Sequence, residues 1–264
     1  MIVGTSSIPY RNKFNTNFLE QIKRATGDGF SACELNTYLQ DKRLLEKNAE
    51  TLRDENVMIS VHANYVENNI SSLNPYMRKS SIGQIENDII FAAEIKSPVV
   101  TLHPGEYQPG YEGDSYEELN RSLRRLIPFA LKHRTMLALE NMDGTGTKLF
   151  SKYHDIKRVL DLHPELKITL DLAHLGMANQ DISLFLDGLV DRIAHFHISG
   201  YSGIKPHIEV SLVESRIDFR PYLEKIIDWK KIIIIENMTR SLTLQSRGVI
   251  EGVFGPTFQR NKLP

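Results

Sequence analysis

Short runs of apolar, often β-branched residues recur along the whole chain and are separated by longer polar segments. Each run is about four residues long, which is the length of a strand rather than of a helix. The pattern predicts eight strands. They begin at Ile2, Ala32, Met58, Val99, Met136, Ile168, Ile193 and Ile232.

The segments between most of these runs have the apolar spacing of amphipathic helices. Between the third and fourth runs, for example, Ile82, Ile85 and Ile89 recur at intervals of three or four residues. This spacing places them on one face of a helix. Helical spacing is found over residues 14–25, 81–95, 119–131 and 219–227.

The alternation of strands and helices predicts a closed barrel. Strands separated by helices pair in parallel through right-handed crossovers. Eight such units in 264 residues predict a (β/α)8 TIM barrel of the α/β class, which has roughly 250 residues. An open doubly wound sheet would normally carry a glycine-rich turn after its first strand, and Gly4-Thr5-Ser6-Ser7 is not one. Since no change of composition marks a boundary, we expect a single domain over residues 1–264.

Three segments fit this regular pattern less well. Residues 104–114 are rich in Gly, Pro and Tyr, and they form either a surface loop or a lid over the mouth of the barrel. After the eighth run only residues 242–253 have helical spacing, and we expect Gly248 and Gly252 to interrupt that helix. The tail from about residue 255 is expected to be loose or to dock on a partner subunit, so a homo-oligomer is left open.

The amino-acid composition limits the classes of function that we expect for this chain. The 32 basic and 33 acidic residues give a net charge of −1, so no overall attraction to nucleic acid or to an anionic membrane is expected. The single cysteine, Cys33, excludes an internal disulfide and a cysteine-based metal cage. The sequence shows neither a signal peptide nor eighteen consecutive apolar residues. We therefore expect a cytoplasmic enzyme without a membrane segment.

The strongest chemical signal lies at the ends of the predicted strands. Six of the eight runs are followed at once by an imidazole or a carboxylate. In a parallel barrel these positions surround one mouth, on the C-terminal face where catalytic side chains lie. The six residues are His62, His103, Glu140, Asp171, His197 and Glu236.

Four of these residues, in particular, are typical ligands of a divalent ion. Three carboxylates in one crevice repel strongly unless a cation neutralises them. One such residue alone is more often a capped or solvated group than a ligand, but six in register on separate strands favour a site. The four predicted metal ligands are Glu140, Asp171, His197 and Glu236.

The other histidines near these strands are open to more than one interpretation. His62 and His103 are explained equally well as metal ligands or as substrate contacts. His174 and His207, in the segments that follow, could hold a further metal or a substrate oxygen. His195 lies one layer deeper than His197 on the same strand face, so we expect a hydrogen-bonded core histidine there.

The order and spacing of these motifs resemble the xylose-isomerase-like barrel superfamily, which includes sugar isomerases and epimerases and the endonuclease IV family. The resemblance covers nearly the whole chain. The motifs that carry it are His62-Ala63-Asn64-Tyr65, Leu102-His103-Pro104-Gly105, Leu139-Glu140-Asn141 with Gly144-x-Gly146-Thr147, Leu170-Asp171-Leu172-Ala173-His174, His195-Phe196-His197, His207, Glu214 with Ile217-Asp218-Phe219, and Ile235-Glu236-Asn237.

Resemblance to the endonuclease IV branch implies three zinc ions. The first would be held by His62, His103 and Glu140, and the second by Glu140, Asp171, His197 and Glu236. The third would need His174, His207 and an aspartate, but Lys205 stands at the aspartate's position. A cation cannot ligate a cation, although Glu209 is an alternative ligand. The branch's DNA-contacting residues are replaced after the second strand by Asn36-Thr37-Tyr38-Leu39-Gln40. Cleavage of abasic-site DNA is thereby disfavoured.

The chain also resembles the isomerase and epimerase branch, in which a single metal ion is expected. Its ligands would be Glu140, Asp171, His197 and Glu236. This resemblance implies a Zn, Mn or Mg ion that polarises a carbonyl and an adjacent hydroxyl and stabilises an enediolate. Glu140 and Glu236 would remove and return a proton from opposite sides of the sugar. His62, His103, His174 and Lys205 are the expected substrate contacts, and Lys205 would either reach a phosphate or carboxylate of the substrate or extend into solvent.

Three hypotheses follow for the function. The first is a divalent-metal-dependent isomerase or epimerase of a small-molecule sugar or sugar phosphate. The second is an endonuclease IV-like, zinc-dependent phosphodiesterase acting on abasic-site DNA. The third is a barrel that retains the metal but has lost its chemistry.

Overall fold

Eight parallel strands close into a barrel, which confirms the predicted (β/α)8 fold. The computed structural model describes residues 1–11, 17–38, 41–52, 55, 57–204 and 209–255. Around the barrel the strands follow the order β1-β10-β7-β6-β5-β4-β3-β2. Their bounds are β1 Ile2–Ser6, β2 Ala32–Asn36, β3 Met58–His62, β4 Val99–Leu102, β5 Met136–Glu140, β6 Lys167–Asp171, β7 Ile193–Ile198 and β10 Ile232–Ile235.

Helices connect the strands, and a small antiparallel pair lies outside the barrel. The pair is formed by β8 Gly200–Tyr201 and β9 Glu209–Val210. The helices are α1 Phe18–Gly27, α2 Lys42–Leu52, α3 Pro75–Glu94, α4 Glu112–Lys132, α5 Tyr153–Leu162, α6 Leu172–Met177, α7 Ile182–Gly188, α8 Arg220–Ile226 and α9 Arg240–Phe254. Within the described parts of the chain, no helix is long and apolar enough to cross a bilayer.

The loop that follows β4 is shorter than the sequence indicated. Helix α4 begins at Glu112, and the carboxylates of Glu112 and Asp114 lie in its first turn, where they interact favourably with the helix dipole. The loop before it is bonded to the loop after β5, since Tyr107 N donates to Thr147 O at 2.8 Å and Leu149 N donates to Gly105 O at 3.2 Å. Two neighbouring loops at the mouth are thereby joined.

The last helix is continuous, so the expected interruption at Gly248 and Gly252 is wrong. Helix α9 runs through both glycines, and it buries Ile250 and Phe254. Tertiary packing of such a face outweighs the low helix propensity of glycine. The predicted loose tail falls on residues 256–264, which lie outside the described residues.

The interior of the barrel contains a layer of polar side chains below the mouth. Glu34 on β2 contacts His195 on β7 at 3.0 Å, and Thr101 on β4 contacts Thr169 on β6 at 2.9 Å. Because neither pair of strands is adjacent, these contacts cross the interior. This polar layer consists of Glu34, Ser60, Thr101, Thr169 and His195, all of which are buried.

A buried carboxyl on helix α3 is bonded to a loop of the mouth. Asp88 accepts a hydrogen bond from Asn64 N at 3.1 Å, after β3. Burial raises the pKa of Asp88 from 3.8 to about 7, although this hydrogen bond opposes the shift. Asp88 is therefore mostly neutral at acidic pH in the folded protein.

We predict that Asp88 makes the protein less stable as the pH rises. Its pKa is higher in the folded state than in the unfolded state, so its favourable contribution is full below about pH 4 and is lost as the pH passes about 7. The complete loss is worth roughly 4 kcal/mol. Asp88→Asn should therefore stabilise the protein at pH 8 relative to the parent and have little effect at pH 4. Urea unfolding at both pH values measures this, and an equal effect at both would contradict it.

Candidate metal centre

The structure brings the six strand-end residues together at the C-terminal mouth of the barrel. Their donor atoms form two groups, in each of which the atoms lie within 4.8 Å of one another. The first group contains His62, His103 and Glu140, and the second contains Glu140, Asp171, His197 and Glu236. Either group could hold a metal ion, and Glu140 belongs to both.

Glu140, the last residue of β5, is the centre of this cluster. Its Oε2 lies 3.2 Å from Nε2 of His62 and 3.1 Å from Nε2 of His103. Its Oε1 lies 3.3 Å from Nδ1 of His174 and 3.5 Å from Nδ1 of His197. Four imidazoles therefore surround one buried carboxylate.

The ends of β5 and β6 are held together by Asn141. Its side chain accepts a hydrogen bond from Asp171 N at 2.8 Å and donates one to Asp171 O at 2.9 Å. Asp171 in turn caps helix α6, because its Oδ1 accepts a hydrogen bond from His174 N at 2.7 Å. These bonds fix Glu140 and Asp171 relative to each other.

The donor set fits a divalent ion. Among the described residues, Glu140 Oε1 and His197 Nδ1 are buried without a hydrogen-bond partner, and they lie 3.5 Å apart. Nδ1 of His197 is also 3.2 Å from Oε2 of Glu236. A cation in contact with these atoms would satisfy all three, and carboxylate and imidazole donors suit zinc or manganese.

Protonated imidazoles balance the carboxylates in the protein without an ion. Burial opposes the charge of His62 and His174, yet their carboxylate neighbours raise the pKa of His62 to about 9 and that of His174 to about 10. The pKa of His197 is likewise raised by Glu236, Glu34 and Glu140 against the effect of burial. Protons thus occupy positions that a bound metal would compete for.

Glu140 and Glu236 are the least and the most exposed carboxylates of the second group. The side chain of Glu140 is 1% exposed, whereas that of Glu236 is 20% exposed. Asp171 is buried, and burial together with the charge of Glu140 raises its pKa to about 6, although His174 opposes this. Glu236 is therefore the most accessible carboxylate of the second group for a molecule in the mouth.

Aromatic rings form one wall of the mouth. The ring of Tyr65 stacks on His103 with a centroid separation of 4.8 Å, and Tyr38 lies 5.9 Å from Tyr65. The guanidinium of Arg11 lies 4.1 Å above the ring of Tyr38. Burial, followed by the charge of Glu236, raises the pKa of Tyr65 to about 12, so its hydroxyl stays neutral.

Of the residues predicted for a third metal site, only His174 is fully described. Lys205 and His207 lie outside the described residues, and of Glu209 only the backbone pairing in β9 is described. His174 belongs to neither candidate ligand group within the described residues. Its Nδ1 donates instead to Asn141 O at 2.9 Å. The third site therefore stays a prediction.

Sequence reasoning missed Glu34. This residue is the third of the five in β2 and is buried inside the barrel, whereas the search considered only the ends of the strands. A carboxylate between Cys33 and Leu35 in an apolar run was the signal that could have found it. His195, which contacts Glu34, is the buried, hydrogen-bonded histidine that was expected.

Comparison with known proteins assigns the chain to a family. The family model described as "Xylose isomerase-like TIM barrel" matches residues 22–252. The chain therefore belongs to the xylose isomerase-like TIM barrel family. The closed eight-stranded barrel agrees with this family assignment.

Proteins with similar sequences include an uncharacterized protein and a probable endonuclease 4. An uncharacterized protein of Methanocaldococcus jannaschii is 30% identical over 174 residues, which is 65% of this chain and 63% of that protein. A probable endonuclease 4 of Mycoplasma capricolum is 32% identical over 126 residues, which is 47% of this chain and 43% of that protein. Both matches thus span less than two thirds of these relatives.

Among solved structures, a D-tagatose 3-epimerase-like protein has a TM-score of 0.83 with 22% identity, and each chain covers 100% of the other. The 3-keto-D-glucoside 4-epimerase from E. coli has a TM-score of 0.78 with 17% identity, covering 96% of this chain and 99% of that one. At these identities the likeness shows a shared fold.

We predict that binding of a divalent ion to this centre releases protons. The carboxylates of Glu236, Glu34 and Glu140 raise the pKa of His197 against the effect of burial, so an ion that binds Nδ1 must compete with protonation of this ring. The affinity for zinc should consequently rise between pH 6 and pH 8. Calorimetric titration in two buffers of different ionisation enthalpy counts the released protons. Equal binding enthalpies in the two buffers would show that no proton leaves.

Proposed function

We propose that the protein is a divalent-metal-dependent isomerase or epimerase of a sugar or a sugar phosphate. The observation that carries this proposal is the arrangement of the second ligand group, in which one carboxylate, Glu236, is open to the mouth beside buried donors. Proton abstraction next to a carbonyl needs a base and an electrophile at one place. The full-length likeness to proteins named as sugar epimerases supports it.

The residues of the second group take distinct roles in this proposal. Glu140, Asp171, His197 and Glu236 hold the ion, which supplies electrophilic stabilisation of negative charge on a substrate oxygen. Glu236 removes the proton, because its carboxylate is the more exposed one. Glu140 is the proposed group that returns a proton from the β5 side, and it can do so only through an oxygen that the ion leaves free.

The aromatic wall of the mouth and the partly exposed histidines beside it are suited to bind a sugar. The side chains of His103 and His174 are 23% and 19% exposed, so their ring nitrogens are within reach of hydroxyl groups in the mouth. Tyr65 and Tyr38 present aromatic surface beside them, and pockets for small ligands combine such surface with a few placed polar groups. The neutral hydroxyl of Tyr65 can donate a hydrogen bond to a sugar oxygen.

A second candidate function, phosphodiester hydrolysis, is favoured by one specific observation. His62 and His103 belong to the first donor group, which shares Glu140 with the second group, and a carboxylate between two ions is suited to phosphate chemistry with two metals. The match to endonuclease 4 over 47% of the chain supports it. The net charge of −1 is against a nucleic-acid substrate.

We predict one tightly bound ion in the unmodified protein. Asp171→Asn, in the second group, should remove it during dialysis, because a buried ligand charge is lost. His103→Gln, which lies only in the first group, should leave the count unchanged. Elemental analysis of the dialysed proteins measures this. Two ions in the parent and one in His103→Gln would instead place the hydrolase first.

We predict that Glu236→Gln preserves the fold and lowers turnover by about 10²–10⁴, because a general base is lost. Since the substrate is not identified, exchange of the carbon-bound proton in D2O can be followed by NMR on a panel of free and phosphorylated ketoses. Glu67→Gln, an exposed carboxylate after β3, is the matched control and should exchange normally. Undiminished exchange by Glu236→Gln would exclude its role as the base.

The same experiment also tests whether the protein cleaves abasic-site DNA. Nicking of this DNA by the metal-loaded protein, without exchange on any ketose, would replace the first function with the second. Exchange without nicking supports the isomerase or epimerase.

A further inference from the structure

We infer that Glu34 is a positioning residue, which holds the imidazole of His197 so that its Nδ1 faces the metal centre. This inference rests on the metal centre of the proposed function, but it does not depend on which reaction the centre catalyses. It concerns a buried carboxylate that lies below the mouth and has no place among the four proposed ligands.

The contacts of Glu34 divide between its two oxygens. Oε1 lies 2.7 Å from Nε2 of His197. Oε2 lies 3.0 Å from Nε2 of His195 and accepts a hydrogen bond from Ser60 Oγ at 2.9 Å. The side chain of Glu34 is 1% exposed and that of His197 is fully buried, so water does not compete for these contacts.

The topology of the barrel explains how Glu34 reaches both histidines. His195 and His197 are two positions apart on β7, so both project to the same side of the strand. Strands β1 and β10 separate β2 from β7 in the barrel, and Glu34 therefore spans the interior. At this depth the carboxylate of Glu34 contacts the imidazoles of both His195 and His197.

The chemistry of the three groups selects one tautomer of His197. An ionised carboxylate only accepts hydrogen bonds, so the ring nitrogens that face it must donate. Nε2 of His195 and Nε2 of His197 lie 3.2 Å apart, and two N–H groups cannot bond to each other. Nε2 of His195 is hydrogen-bonded to Oε2 of Glu34, and Oε1, which is buried without another hydrogen-bond partner among the described residues, lies 2.7 Å from Nε2 of His197 and is the acceptor that we assign to it. Once an ion has displaced the second proton, the imidazole of His197 is neutral and carries one hydrogen, on Nε2, so its Nδ1 has a lone pair for the ion.

That lone pair points toward the proposed ion. Nδ1 of His197 lies 3.2 Å from Oε2 of Glu236 and 3.5 Å from Oε1 of Glu140, which are themselves acceptors. Three acceptors this close together are favourable only around a cation or a proton. A metal-bound imidazole commonly donates its other N–H to a carboxylate, which fixes the tautomer and the ring orientation. Glu34 occupies that position here.

Glu34, His195 and His197 could alternatively form a metal site of their own, since their donor atoms are also close together. The two interpretations differ in the hydrogen on Nε2 of His197. An ion between Glu34 and the histidines would remove this hydrogen, whereas the positioning role requires it.

The first test uses the unmodified, zinc-loaded protein with ¹⁵N-labelled histidine. Long-range ¹H–¹⁵N NMR spectra report which ring nitrogen carries hydrogen, and the signal of His197 is assigned by its loss in His197→Gln. We expect a protonated Nε2 and a zinc-bound Nδ1. Hydrogen on Nδ1, or a metal-bound Nε2, would overturn the inference. This measurement does not depend on the folding of a variant at position 34.

The second test compares zinc affinities by competition with a chelator. Glu34→Gln replaces one acceptor oxygen by an amide NH2, so one imidazole N–H loses its partner. We expect the affinity to fall about 10–100-fold, as for other partners of metal-bound histidines. The matched control is Thr169→Val, which removes a hydroxyl from the same polar layer; within the described part of the chain this hydroxyl is bonded to Thr101 at 2.9 Å and not to His197. It should bind zinc within about twofold of the parent.

The possible failures are distinguishable. If the unmodified protein binds no zinc, the proposed metal centre is wrong and the inference is overturned with it. If the parent binds zinc and Glu34→Gln binds it equally well, only the inference is overturned. An equal loss of affinity in Thr169→Val would assign the effect to general disturbance of the layer and would also overturn it.

Discussion

The concentration of negative charge at one end of a closed barrel is the constraint on which the site depends. Glu140 and Asp171 are buried and Glu236 lies beside them, and carboxylates so placed repel one another and lose hydration. His62, His174 and His197, whose pKa values are raised by these carboxylates, compensate by favouring their protonated forms, whereas burial lowers the pKa of His103. The same side chains would exchange these protons for an ion if the proposed metal binds.

The fold was largely predictable because its signals are local. Runs of apolar residues mark the strands, and the alternation with helices selects a parallel barrel. The errors concern places where tertiary packing decides. Helix α9 continues through Gly248 because its buried face packs on the barrel, and helix α4 starts within the segment read as a loop, at Glu112. Neither outcome can be derived from local propensity.

The candidate site was predictable as far as it follows from the direction of the strands. Since every parallel strand ends at the same mouth, the positions of Glu140, Asp171 and His197 in the sequence were enough to group them. Glu34 was different, because its partners on β7 are 161 and 163 positions away and lie across the interior. Which residues face one another across a barrel depends on its stagger, which the sequence does not reveal.

The cap of helix α6 limits how Asp171 can take part in coordination. Its Oδ1 already accepts a hydrogen bond from the backbone N–H of His174, which would favour coordination of an ion through Oδ2. An aspartate bound through one oxygen would occupy a single coordination position. In the proposed metal centre, positions that the protein does not fill would be open to oxygens of a substrate. A helix terminus would thus bear on the room for a substrate that binds the ion through two oxygens.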